Sequence, residues 1–129
     1  MVRKKEDTVV FEQFKKNIRV WQAKLNMLDW DVLVLLEDCA GTDNAGCFAY
    51  ITMSPEDMNA TVVLNKEHMH DPEFNSNSTA LHELLHAKLN KLKHLVLDER
   101  AVWCSSINSE EHSVIKSLMY CILGGPKFK

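Results

Sequence analysis

The run His82-Glu83-Leu84-Leu85-His86 constrains this chain more than any other stretch. It lies within Ser78 to Leu89, which reads as helix throughout. Two histidines four positions apart stand on one helical face about one turn from each other, so their imidazoles can converge on a single ion. Glu83 points roughly 100° around the helix from His82, which keeps it out of the ligand set but within reach of a water held there. Zinc takes tetrahedral nitrogen, sulfur or oxygen ligands, and a catalytic zinc leaves one position open. The run therefore offers two metal ligands, His82 and His86, and a general base, Glu83. A third ligand must come from elsewhere.

A chain of 129 residues is the size of one domain, here 1–129, and can bury a core without disulfides or metal staples. A formal charge of -3 with no basic cluster gives no attraction for nucleic acid or an anionic membrane surface. Arg3-Lys4-Lys5 is short, is followed at once by Glu6-Asp7, and reads as a frayed start. With no apolar run of membrane-spanning length and no secretory signal, the expected address is cytoplasmic. Cys39, Cys47, Cys104 and Cys121 show no C-x-x-C pairing and read as reduced, mostly buried thiols, with a Cys39–Cys47 bridge as the alternative.

The spacing predicts an α+β fold. Val10, Phe11, Phe14, Ile18, Trp21, Leu25 and Leu28 mark an amphipathic helix from about Asp7 or Thr8 to Met27 that would cover one face of a sheet. Trp30 to Glu37, Cys47 to Met53 and Ala60 to Leu64 read as strands, separated by Gly41-Thr42-Asp43-Asn44 and Ser54-Pro55-Glu56-Asp57. Short connections suggest a three-stranded, mainly antiparallel meander. Ser76, Asn77 or Ser78 can cap the motif helix, whose leucines 81, 85, 89 and 92 form its apolar stripe. Ser109 can cap a last helix, Glu110 to Leu123, with Val114, Ile115, Leu118, Met119 and Ile122 as its buried side. His68-x-His70-Asp71 is a rival metal cluster, though it reads better as a solvated turn.

The His82-Glu83-Leu84-Leu85-His86 run resembles the active-site helix of zincin metallopeptidases, and the surrounding chain resembles the small single-domain metallopeptidases of phages and prophages. The branch with H-E-x-x-H-x-x-G-x-x-H is excluded, because Leu89 and Leu92 occupy its glycine and third-histidine positions. His94 lies about 12 Å beyond His86 along a continuous helix, too far to share an ion. In the glutamate-type (gluzincin-like) branch the third ligand comes from a later helix, and that likeness assigns it to Glu111, which shares an inward face with Val114, Ile115 and Leu118. Glu110 is the substitute. No aspartate follows Glu111 by one turn, so support for the histidines would fall to Asp71, Asp98 or Glu99.

The resemblance implies a minimal zincin-like fold, bound Zn2+, and hydrolysis of peptide bonds in a polypeptide substrate by an activated water with Glu83 as base. An oxyanion donor is also needed, for which His112, Tyr120, Tyr50 and His94 carry suitable groups. The resemblance further implies that the strand before the motif helix, Ala60 to Leu64, runs at the sheet edge and lines the cleft. The alternatives are a catalytically quiet domain that binds zinc or a partner, and a regulator that cleaves one specific protein.

Overall fold

In the computed structural model, periodic burial produces, among the described residues, three helices and three strands: α1 (Val2–Lys24), β1 (Asp31–Glu37), β2 (Ala49–Ser54), β3 (Asn59–Asn65), α2 (Ser76–Leu97) and α3 (Ser105–Leu123). The structure describes residues 2–54, 56–97 and 105–123, and the side chains of 6–54, 56–90 and 111–123. The α+β class is as expected from the sequence. Among the described residues no helix is long and apolar enough to cross a membrane.

Helix α1 begins before the expected Asp7, so the backbone of Arg3-Lys4-Lys5 is helical rather than frayed. Phe14, Ile18 and Trp21 are buried at offsets of four and three, as an amphipathic helix requires. The helix packs chiefly on α2 rather than capping the sheet alone. It ends where Asn26 adopts φ 58°, a left-handed conformation that asparagine tolerates, and Met27 donates back to the Gln22 carbonyl at 2.7 Å. That turn takes Leu28 off the stripe and leaves it 72% exposed.

Strand β1 alternates cleanly, with Val32 and Val34 buried and Leu33 facing out. The sheet, however, is not a meander. Its order is β1-β3-β2, with β1 parallel to β3 and β2 antiparallel to β3. The segment from Asp38 to Phe48 is long enough to carry the chain past an empty strand position, which β3 then fills after a tight turn through Met58 at φ 55°. The expectation that Ala60 to Leu64 forms the edge is therefore overturned, because β3 is paired on both sides and almost wholly buried. The edge facing the motif helix is β2.

Asn65, fully buried at the end of β3, organises the long connection. Its amide donates to the carbonyls of Ala45 (3.1 Å) and Cys47 (2.8 Å), and its carbonyl oxygen accepts from the backbone N–H groups of Cys39 (3.4 Å) and Glu67 (3.0 Å). These are all the hydrogen bonds a buried asparagine side chain needs. Cys39 is buried, but Cys47 and Cys121 are exposed thiols, so the cysteines with described side chains are not mostly buried; Cys104 lies outside the described residues.

The cap of α2 is Asn75, one position before the expected serines and asparagine. Its Oδ1 accepts from Ser78 N at 3.0 Å and its carbonyl from Thr79 N at 2.9 Å. Trp21 Nε1 donates to Asn77 Oδ1 at 2.7 Å and Asn17 Nδ2 to Ser76 Oγ at 2.8 Å, fixing this end of α2 against α1. Helix α3 starts earlier than expected and packs chiefly on α2, and among its described side chains the fully buried row is Ile115 and Met119. Val114, Leu118 and Ile122, expected inside, are exposed.

Replacing Asn65 with alanine removes four hydrogen bonds, of which the one to the Cys39 amide is buried, and we expect a loss of about 2–4 kcal/mol in urea unfolding. A loss below about 0.5 kcal/mol would mean that the connection holds its shape without this side chain.

Candidate metal centre

On α2, burial of Ala80, Leu81, Leu84, Leu85 and Ala87 against the core sets the rotation of the helix. His82 and His86 then emerge half-buried at the core margin, while Glu83 is turned inward and only 7% exposed. The two imidazoles face one another, with His82 Nε2 and His86 Nε2 3.1 Å apart. From α3, His112 closes the group. One ring nitrogen from each of His82, His86 and His112 fits within a span of 4.8 Å, close enough for the three to hold a metal ion. Zinc–nitrogen bonds of about 2.0–2.1 Å place tetrahedral ligand atoms about 3.3 Å apart. The His82–His86 pair already matches that spacing, and His112 is the exposed member of the three, free to close the rest.

Glu111 occupies a different place from the one the resemblance assigns to it. Its Oε2 lies 2.6 Å from His86 Nδ1, on the side of the ring away from His82. A carboxylate there accepts a hydrogen bond from Nδ1–H, which keeps the proton on Nδ1, leaves the lone pair on Nε2, and fixes the ring plane, as partners of metal-bound histidines do. Both side chains are largely enclosed, at 16% and 8% exposed. Glu111 itself thus stands where a carboxylate would orient His86, in the absence of an aspartate one turn later.

The other predicted residues disperse. The Glu110 and His94 side chains, with Asp98 and Glu99, lie outside the described residues. Tyr120 is 52% exposed and does not line the cleft, whereas Tyr50 on β2 does. Asp71 accepts from the backbone N–H of Glu73 and shapes its own turn. His68 bonds the Ala45 carbonyl and His70 pairs with Asp7 on α1, so these two histidines brace loops in different directions. Among the described residues the only metal-competent group is the His82, His86 and His112 trio. The sequence offered His112 as a possible oxyanion donor, whereas the structure brings it into the nitrogen group with His82 and His86, a place that depends on how α3 crosses α2.

A cleft of about 370 Å3 opens over this group between β2 and the two helices, with Tyr50 and Met53 on one wall and His86 and His112 on the other. Burial holds the Glu83 carboxyl up at about 8 and, aided by His86, pushes His82 down to about 4. At neutral pH His82 is therefore a free base able to ligate, and Glu83 is mostly protonated until a cation approaches. No family model, no curated protein and no solved structure matches this chain.

The raised Glu83 pKa has a stability consequence. The folded protein holds a proton that the unfolded chain releases near the ordinary glutamate value of 4.5, so metal-free stability falls as pH rises from about 4.5 to about 8. Glu83→Gln removes this dependence. In zinc-free buffer the variant should match wild type near pH 4 and exceed it at pH 7 by up to about 3 kcal/mol in urea unfolding. An unchanged pH profile would mean that the Glu83 carboxylate is solvated in the fold.

Proposed function

We propose that this protein is a zinc-dependent peptidase in which His82, His86 and His112 hold the ion, Glu111 orients His86, and Glu83 is the general base. The convergence of three imidazoles beside a buried carboxyl, at the floor of an open cleft, carries this reading. A zinc ion bound there would supply a Lewis acid that polarises a carbonyl and acidifies a water. Glu83, held close by the same helix, would take the proton of that water and deliver it to the departing amine. As a buried group whose pKa is high without a nearby cation, it is suited to carry a proton at neutral pH. Tyr50 is the cleft-lining group with a hydroxyl for the developing oxyanion.

The substrate reading follows from the sheet order. Among the described residues strand β2 has no sheet partner on its outer side, and Ala49, Tyr50, Ile51 and Met53 line the cleft. An extended polypeptide could add there as a further strand, with backbone hydrogen bonds setting its register across the ion. The role that the zincin likeness gives to the strand preceding the motif helix would thereby pass to β2.

Zinc titration by a competing chelator tests the ligand set. His82→Ala, His86→Ala and His112→Ala should each weaken zinc by more than about 100-fold, while Glu111→Gln should weaken it by about 10–100-fold, as loss of an orienting partner does. The set with Glu111 as third ligand predicts the reverse order for Glu111 and His112. Glu83→Gln should keep its zinc and lose about 100-fold or more in peptide turnover. Wild-type protein loaded with zinc that cleaves neither peptides nor folded proteins would leave the zinc-binding, partner-binding alternative in place.

A further inference from the structure

A second cavity, of about 390 Å3, adjoins the metal group on the side toward the start of α2 and shares Cys47, Ala49, His82 and Glu83 with the cleft. Its floor is apolar, built from Phe48, Ala49 and Met119. Its polar rim comes from the turn before α2 and the first turns of the helix. Asn75 and Ser78 on that rim are already committed, since Asn75 Oδ1 accepts from Ser78 N at 3.0 Å and Ser78 Oγ donates to the Asn75 carbonyl at 3.3 Å. The Thr79 amide is likewise taken by the Asn75 carbonyl at 2.9 Å. The capped helix start therefore has little left to offer an anion.

Glu73 is different. Its backbone N–H is fixed by Asp71 Oδ1 at 2.9 Å, which sets its position on the rim, and the residue is exposed. No arginine or lysine lines the cavity, and Glu73 forms no ion pair among the described residues. A cavity with an apolar floor and one carboxylate at its rim fits a side chain with a long methylene stem and a cationic end. Taken with the overall acidic charge of the chain, this favours an arginine or lysine over an apolar or acidic residue.

Resting on the peptidase reading, we propose that this cavity receives a basic side chain of the polypeptide next to the bond over the metal group, and that Glu73 determines that preference. Glu73 touches substrate here as a specificity residue and takes no part in the chemistry.

The test uses zinc-treated full-length Glu83→Gln protein, so that peptides remain intact, and fluorescently labelled acetyl-Ala-Ala-X-Ala-Ala-amide probes with X as arginine, norleucine or glutamate. Anisotropy titration should show the arginine probe binding about tenfold or more tighter than norleucine, the size of one charge-assisted hydrogen bond. Adding Glu73→Gln should bring the two within about threefold, and Glu73→Lys should favour the glutamate probe. Equal binding of arginine and norleucine, an arginine preference that survives Glu73→Gln, or no binding of any probe up to about 1 mM would each overturn the proposal. Zinc stoichiometry and wild-type turnover are read separately and bear on the peptidase reading alone. An active enzyme indifferent to X would sink the pocket assignment and leave the peptidase standing.

Discussion

The imidazole of His86 is the joint on which the candidate site turns. Its Nδ1 meets the Glu111 carboxylate at 2.6 Å and its Nε2 faces His82 at 3.1 Å, so a single ring links α2 to α3 and presents a lone pair to the centre. Among its described side chains, helix α3 has few other contacts to locate it. Only Ile115 and Met119 of its described side chains are fully buried, Leu123 packs partly against the core, and Val114, Leu118 and Ile122 face solvent. A weakly packed helix takes its position from whatever directional contacts it makes, and a largely enclosed carboxylate–imidazole pair is a strong one. The contact that seats α3 is also the contact that prepares His86 to ligate.

Electrostatics around this joint favour a cation in the group. Glu83 is buried without a charge to offset its desolvation, His82 is held as the free base, and three ring nitrogens crowd into a span of 4.8 Å. Each feature is unfavourable or neutral alone, since a buried carboxylate is poorly solvated and two neutral imidazoles share at most one hydrogen bond between their facing nitrogens. A divalent ion reverses all three together, because it attracts the carboxylate and accepts the lone pairs. Release of the buried proton and binding of an ion would thus be two aspects of one arrangement.

The sheet places this centre beside an open strand edge. Because β3 enters between β1 and β2, the strand nearest the helices has one side paired and one side open. Asn65 makes this possible, holding the connection from β1 to β2 against the end of β3 so that Cys47 and Ala49 line both the site and its neighbouring cavity. A buried polar side chain with all its bonds made specifies one loop conformation where an apolar residue would allow several.

By itself the sequence determined the elements governed by short-range periodicity. The alternation of Trp30, Val32 and Val34, the stripe of Phe14, Ile18 and Trp21, and the one-turn spacing of His82 and His86 with Glu83 offset from them all depend on repeats of two or of about 3.6 residues, which any stretch of chain carries in its own order. It also showed that a later acidic helix belonged with the motif. Tertiary structure alone decided which strand lies between its neighbours, which of two adjacent residues on α3 contributes to the donor group, and which carboxylate orients a ring. Strand order depends on where an eleven-residue connection crosses, and neither hydrophobic pattern nor turn chemistry encodes that path. Glu111 and His112 differ by about 100° around one helix, so a modest rotation of α3 on α2 exchanges their roles. That rotation is set by Ile115, Met119 and the bond to His86, contacts between segments some thirty residues apart that no local pattern records.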